Sequence, residues 1–587
     1  MFIPKNKNIV FYVFLVVCIV VVKQGTSAKT IIVDQSGNAD FTSIQAAINI
    51  TTAGDTVFVK QDSVPYYEKI NFTSGGDSLN GYITLMAFPG DKPIIDGTNV
   101  PNNPASYTDD IIYISNLNYI RVKGFILRNV NTNEGSGIRV YGFGSHIELI
   151  DNEIYNILGG SEDGGAMGIT IYGANDSKPI TDIVIDSNFI HDCDPAWSEA
   201  LTLNGNVKNF KVIHNTVQDV NNIGIDFIGG ETWLSNRVVR NGICAWNKVY
   251  RANSSYGDGY AAGIYVDGGK NILVENNIVS GSDIGMEIGA ENQGIVASGI
   301  VVRDNLIYKN NKAGLAFGGY ASNTGRVRFC HFYSNTLYDN DLLKKGNGEL
   351  WIQYADSNIV ENNIFYANSQ SIVLSSWNGN KDNTLDYNLW YSTSNMSFIW
   401  NGSTLRGLSA FQSYTKQGGN SVPANPEFVN EDSLNFQLTK ASPAVNSGDP
   451  NYKAASNEVD MSGNPRIFGN TVDIGAYEFS SVSSVQNKRS RMPESFEVYS
   501  PYPNPFNGIT SFKVNMRDGL TGIVEISVYS ILGEKVKNIY NGRLNSGQHI
   551  FYWNGSGKNN SEVSSGVYFV IAKDRSEVKS SKVILLK

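Results

Sequence analysis

Eight six-residue phrases in the middle of the chain share one shape: GIRVYG (137–142), GITIYG (168–173), ALTLNG (200–205), GIDFIG (224–229), GIYVDG (263–268), GMEIGA (285–290), GLAFGG (314–319) and ELWIQY (349–354). As strands, they bury their second and fourth residues and turn the third and fifth outward. One outward series is Arg139, Thr170, Thr202, Asp226, Tyr265, Glu287, Ala316 and Trp351; the other is Tyr141, Tyr172, Asn204, Ile228, Asp267, Gly289, Gly318 and Gln353. With neighbouring strands ~4.8 Å apart, three carboxylates converge: Asp226, Asp267 and Glu287, with Tyr265 between the first and the last. Asp226 and Glu287 stand two strands apart, which puts their backbones roughly 10 Å from each other. Side chains from that spacing reach the carboxyl separation of inverting glycosidases, about 6.5–9.5 Å. Such crowding raises at least one pKa, as a general acid requires. The expected catalytic groups are therefore Asp226, Asp267, Glu287 and Tyr265. The same three acids suit Ca²⁺, a hard ion that takes oxygen ligands, as an alternative role.

Nearby segments add Glu199, Glu231, Asp258, Tyr260 and Glu291. Expected substrate-binding residues are Trp197, Glu199, Asn204, Trp233, Tyr320 and Trp351, whose aromatic members offer flat faces to sugar rings. The bland reading is a solvated polar face, and Asp163 and Asp194 are read that way, as turn residues. Against it, an unneutralised acidic ladder repels itself. Elimination from a uronate needs a base to abstract the proton beside its carboxylate. The ladders hold no Lys, and Arg139 lies three strands from Asp226; Tyr265, Lys270 and Lys312 are the remaining candidates. Hydrolysis is favoured over elimination on that ground.

These phrases must be held in register, and a second pattern supplies the means. HIELIDNEIYNI, DIVIDSNFIHDC, NFKVIHNTVQDV, NILVENNIVSGS, GIVVRDNLIYKN and SNIVENNIFYAN each carry alternating apolar residues, an Asn and a second short apolar run. The Asn recurs at 152, 188, 215, 247, 277, 305, 335, 363 and 388, in steps of 25 to 36 residues. A period of this size, too short for crossover helices, means a solenoid of stacked coils. The Asn is read as an inward ladder at a turn. At the front, TIIVDQSGNADFTSIQAAINITTAGDTVFVK is a strand, a short helix with Phe41, Ile44, Ala47 and Ile48 on one face, and a strand. It caps an otherwise open edge.

Together with the rear phrases NPEFVNEDSLNFQLTKASPAVNSGD and VDMSGNPRIFGNTVDIGAYEF, residues 29–480 resemble the pectin-lyase-like superfamily of right-handed parallel β-helices. The resemblance implies a fold that hosts lyases, hydrolases, esterases, epimerases and adhesins; no pectate-lyase or polygalacturonase motif carries catalytic residues over.

The chain ends differently. Residues 496–587 alternate apolar residues with Gly- and Asn-containing turns, as a small Ig-like β-sandwich does. Tyr502-Pro503-Asn504-Pro505-Phe506-Asn507, Leu532-Gly533, Ser565-Gly566-Val567-Tyr568 and Lys587 resemble the type A sorting domain of type IX secretion substrates. The resemblance implies export across the outer membrane and the type IX machinery as partner. At the other end, Lys5 and Lys7 precede the apolar run Ile9–Val22, and Thr26-Ser27-Ala28 offers a cleavage site, the marks of a Sec signal peptide.

The expected organisation is all-β: 1–28 signal peptide, 29–480 right-handed parallel β-helix (29–60 cap, 420–480 terminal segment), 481–495 linker, 496–587 sorting β-sandwich. Net charge is −9 over 587 residues, which argues against nucleic-acid binding. Cys193, Cys244 and Cys330 are too scattered for a disulfide framework and are read as buried thiols. The expectation is a secreted or surface-bound monomer that hydrolyses or eliminates a polysaccharide, with a non-catalytic adhesin or glycan-binding β-helix as the alternative. No cofactor is implied beyond Ca²⁺.

Overall fold

The computed structural model describes residues 28–101, 108–159, 164–377, 379–455, 457–480, 496–499, 501–516, 522–530, 535–558, 561–573 and 578–586. The expected signal peptide up to residue 27, the linker 481–495, Asp163, Leu532-Gly533 and Lys587 lie outside them. The chain forms two compact units, 1–479 and 480–587.

The first unit is a right-handed parallel β-solenoid of three sheets, with 16, 11 and 13 strands. Each coil gives a strand to each sheet. Seven strands of the third sheet matter most: β1 (Gly165–Gly173), β2 (Glu199–Gly205), β3 (Ile223–Ile228), β4 (Ala262–Asp267), β5 (Ile284–Gly289), β6 (Ala313–Gly318) and β7 (Leu350–Gln353), adjacent in that order. Their inward residues, such as Ile169/Ile171, Ile225/Phe227, Met286/Ile288 and Leu350/Ile352, are at most 1% exposed. The period-2 alternation thus buries one apolar stack through the whole unit.

The asparagine ladder forms at the turn from the first sheet to the second. Each side-chain amide from Asn152 to Asn363 donates to the Oδ1 of the next ladder Asn, at 2.9–3.0 Å. The same oxygen receives the backbone N–H of the previous Asn, as Asn188 Oδ1 does from Asn152 N at 3.1 Å. The residue before every ladder Asn has a left-handed backbone, from Asp151 (φ 56°) and Ser187 (58°) to Asn362 (56°) and Tyr387 (51°). Non-glycine residues resist that conformation. The ladder bonds offset this cost once per coil, which explains why DN, SN, HN and WN pairs recur.

The helix Ile44–Ile48 closes the front. Ser43 caps it, and Ile44, Ala47 and Ile48 are buried beneath it. A second helix, Leu408–Thr415, which the sequence reading missed, closes the rear by stacking Phe411 on Phe398. The terminal segment then returns along the coils: Ala476 N donates to Thr336 Oγ1 and Asn276 Nδ2 to Val459 O. Arg466, fully buried, pairs with Asp304 at 3.0 Å and Glu478 at 2.9 Å. Cys193, Cys244 and Cys330 are buried free thiols.

The second unit has antiparallel sheets of three and four strands around Phe512, Val514, Ile526, Val528, Trp553, Val570 and Val583. Its PNPFN stretch is built in: Phe506 lies 5.3 Å from Trp553, and Asn504 Oδ1 accepts from Ile584 N at 2.7 Å.

Candidate functional site

Pairing in the third sheet follows the first outward series throughout: Arg139, Thr170, Thr202, Asp226, Tyr265, Glu287, Ala316 and Trp351 are successive partners. The second series breaks once. Tyr141, Tyr172, Asn204 and Ile228 are in line, as are Asp267, Gly289, Gly318 and Gln353, but Ile228 bridges Gly268 instead of Asp267.

This outward face is not a solvated one. Asp226 is 2% exposed and Asp267 and Tyr265 are each 4% exposed, while Glu287 is half-buried. The loops after β3 and β5 pack against this face. Trp233 and Leu234, in the loop after β3, lie against Gly205, where an added Cβ would meet both at 3.0 Å. Ile295, in the loop after β5, packs on Gly230 and Gly268. Gly289 leaves the room that Tyr265 fills: a Cβ there would stand 2.7 Å from the phenol oxygen. That phenol donates to Glu291 Oε1 at 3.3 Å, and Glu291 N donates to Asp267 Oδ1 at 2.8 Å. Asp226 Oδ1 accepts from Phe227 N at 2.6 Å.

Burial dominates the electrostatics. It raises Asp226 well above the ordinary carboxyl range, and the charges of Glu199, Asp267 and Glu291 push the same way. Asp267 is raised likewise, by burial and then by Glu291, Glu231 and Glu199. Glu287 is pushed up to about 8 by burial, Glu291 and Asp267. Glu199, also buried, is pushed up to about 8 by burial and by Glu291 and Glu231, with the Thr202 hydroxyl acting the other way. Groups this close titrate as one set, each ionising at higher pH than an isolated carboxyl.

Among the described residues no group of three or more His, Cys, Asp or Glu side chains is placed to hold a metal ion. Asp226, Asp267 and Glu287 share a face without forming a ligand set.

The aromatic residues flank the acids. Trp197, Trp233 and Tyr320 are 50%, 45% and 64% exposed; Trp351 is half-buried. Trp233 tilts against Tyr172 at 6.1 Å, Trp197 against Tyr256 at 5.3 Å, and Trp351 against Tyr260 at 6.2 Å. Among the described residues, the buried polar atoms of this face without a hydrogen-bond partner include Asn204 Oδ1, Trp351 Nε1 and Ser375 Oγ, the last paired in register with Trp351. The candidate cations are engaged or distant. Arg139 binds Asp110 at 2.8 Å and lies under Tyr172; the Lys312 ammonium is held by the carbonyls of Asp258 and Gly259 and sits 4.4 Å from the Tyr260 ring; Lys270 is exposed. Asp194, read as solvated, instead accepts from Tyr256 Oη at 3.0 Å and so steadies the ring beside Trp197. Asp283, which sequence reasoning missed, accepts from Ser254 N at 2.9 Å and fixes the 254–261 loop.

Residues 199–336 and 241–407 match the right-handed β-helix region family, and residues 500–586 match the secretion-system C-terminal sorting domain. The uncharacterized protein YwoF of Bacillus subtilis is 34% identical over 418 residues, 69% of this chain and 88% of that one. Among solved structures, a Yersinia enterocolitica family 28 exopolygalacturonase overlaps 64% of this chain and 76% of its own at 12% identity and TM-score 0.38. The Azotobacter vinelandii mannuronan C-5 epimerase A-module overlaps 60% and 83% at 12% identity and TM-score 0.37. Likenesses of that order carry no argument about activity.

Proposed function

Because this chain belongs to the right-handed β-helix family and carries a secretion-system sorting domain, we propose that it is an exported enzyme that hydrolyses a polysaccharide lying along the outward face of β1–β7. A Sec signal in residues 1–28 would start that export.

The observation that carries this reading is the pair Asp226 and Glu287. They occupy one outward ladder two rungs apart, with Tyr265 between them and exposed aromatics on both sides. Asp226, the more deeply buried, keeps its proton and serves as general acid to the leaving glycosidic oxygen. Glu287, half-buried and nearer water, ionises more readily and takes a proton from the attacking water. The anomeric carbon gains the water oxygen as its bond to the leaving oxygen breaks. Two rungs give a backbone separation of roughly 10 Å, which leaves room for that water and predicts inversion. Burial and the nearby carboxylates of Glu199, Asp267 and Glu291 resist ionisation of Asp226. Tyr265 spaces the two acids, and its hydroxyl is committed to Glu291. A glycan-binding rod would need the aromatic faces but not the buried acids beneath them.

The test is the appearance of reducing ends from polysaccharides incubated with the full chain, compared with Asp226→Asn and Glu287→Gln. Loss of the acid or base is expected to cost roughly 10²–10⁴-fold. Full activity in both variants would reject the assignment.

A further inference from the structure

The charge of the groove, apart from its catalytic pair, bears on which polymers enter it. Glu199 stands beside Asp226 on the neighbouring strand, and Glu291 is bonded through its backbone to Asp267 and through its carboxylate to Tyr265, with Glu231 in the loop after β3; the charges acting on Glu287 are the carboxylates of Glu291 and Asp267. Between Arg139 and Trp351 neither outward ladder holds a Lys or Arg. The cations beside the groove are engaged: Arg139 by Asp110, the half-buried Arg237 of the loop after β3 by the Glu231 carbonyl at 3.0 Å, and Lys312 by two backbone carbonyls with Asp283 3.8 Å away. Among the described residues no metal-ligand group stands ready to bridge a second anion. What the groove does offer unpaired is neutral: Asn204 Oδ1 on the N-terminal side of the acids, with Asn204 itself 7% exposed, and Trp351 Nε1 and Ser375 Oγ on the other. An acceptor buried without a partner costs free energy until a donor arrives. Hydroxyl groups of a sugar meet both needs. A uronate carboxylate brought into the same space would face the desolvation and mutual repulsion that already make Glu199, Asp267 and Glu287 resist ionisation.

We propose that the groove selects uncharged glycans and excludes uronate polymers, with Asn204 and Trp351 receiving sugar hydroxyls at either end of the acidic centre. The inference rests on the hydrolase reading above and names the substrate class for that same groove. From β1 to β7 there are six inter-strand steps, roughly 29 Å at the ordinary spacing, so the groove spans several sugar rings.

The full chain is to be incubated with xylan, mixed-linkage glucan and galactan, and in parallel with polygalacturonate and alginate, reading both reducing ends and retardation in polysaccharide-containing gels. At least one neutral polymer is expected to be cleaved ten-fold or more faster than either uronate polymer. Glu231→Gln, which removes a rim charge outside the catalytic pair, is expected to narrow that gap several-fold, as is raising the salt concentration. Cleavage of a uronate polymer at an equal or greater rate would overturn the selectivity while leaving the hydrolase reading in place. No cleavage and no retardation with any of the five would overturn the hydrolase reading and this inference with it. Retardation without cleavage by neutral polymers alone would keep the selectivity and reject the hydrolysis.

Discussion

The backbone N–H of Glu291 donates to Asp267 Oδ1 at 2.8 Å. This one bond ties the loop after β5 to the end of β4 and brings the Glu291 carboxylate to the Tyr265 hydroxyl, 3.3 Å away. The loop therefore does two things: it covers the acids, so that they keep protons, and it fixes the phenol that spaces Asp226 from Glu287.

Gly289 is where this arrangement is most exposed to a small change. An added methyl would stand 2.7 Å from the Tyr265 oxygen and 2.9 Å from its Cε2, so the ring must turn away. Gly289→Ala is expected to lower kcat/KM by about 10–100-fold, the scale of a misplaced catalytic group. Steady-state kinetics together with a melting curve would separate this from unfolding, since the strand itself remains compatible with Ala.

Glu287 also makes stability depend on pH. Its folded carboxyl is raised from the ordinary 4.5 to about 8. The folded state thus binds the proton more tightly than the unfolded chain does, so this contribution is complete below about pH 4.5 and is lost as the pH climbs through 8. Glu287→Gln is expected to be more stable than the parent at pH 9 and close to it at pH 4, as read by thermal melts at the two pH values. The same shift places the rising limb of the activity profile near pH 8, well above an ordinary carboxylate.

The asparagine ladder is expected to be cooperative along its length. Asn277→Ala removes the acceptor for both Asn247 N and Asn247 Nδ2, and the donor to Cys244 O and Asn305 Oδ1. Losing several buried bonds at once is expected to cost about 3 kcal/mol. Asn388, the last rung, accepts from Asn363 but donates to the carbonyls of Val360 and Asp386 and to no further Asn, so its replacement disturbs one neighbouring rung instead of two and is expected to cost less. Denaturant midpoints of the two variants check the order.

Arg466→Met leaves Glu478 buried without its cation and Asp304 with only Arg303, 3.8 Å away. A loss of about 3–5 kcal/mol is expected. The triple change with Asp304→Asn and Glu478→Gln is expected to recover part of it, as urea unfolding of the variants would show.

Much of this was legible in the sequence, for a physical reason: period-2 alternation and a recurrent Asn are enforced in every coil, so an error in one coil would stand out against its neighbours. The pairing of Asp226 with Tyr265 and of Tyr265 with Glu287 followed from that alone. Burial of the face did not, because it is imposed by loops of irregular length whose only marks are scattered residues such as Trp233, Ile295 and Glu291. The break between Ile228 and Asp267 also escaped, since the paired glycines 229–230 and 268–269 let the two coils turn differently after the same apolar phrase. Asp283 and Asp194 were hidden for a related reason: an Asp that accepts backbone or phenol donors in a loop has the same sequence surroundings as a solvated one.

The most direct test follows reducing ends and ultraviolet absorbance together while the full chain acts on a neutral polysaccharide, with and without EDTA. The account predicts new reducing ends, no absorbance from new C=C bonds, no effect of EDTA, and a drop of roughly 10²-fold or more in Asp226→Asn and in Glu287→Gln. Unsaturated products lost in EDTA, or a fully active Asp226→Asn, would contradict it.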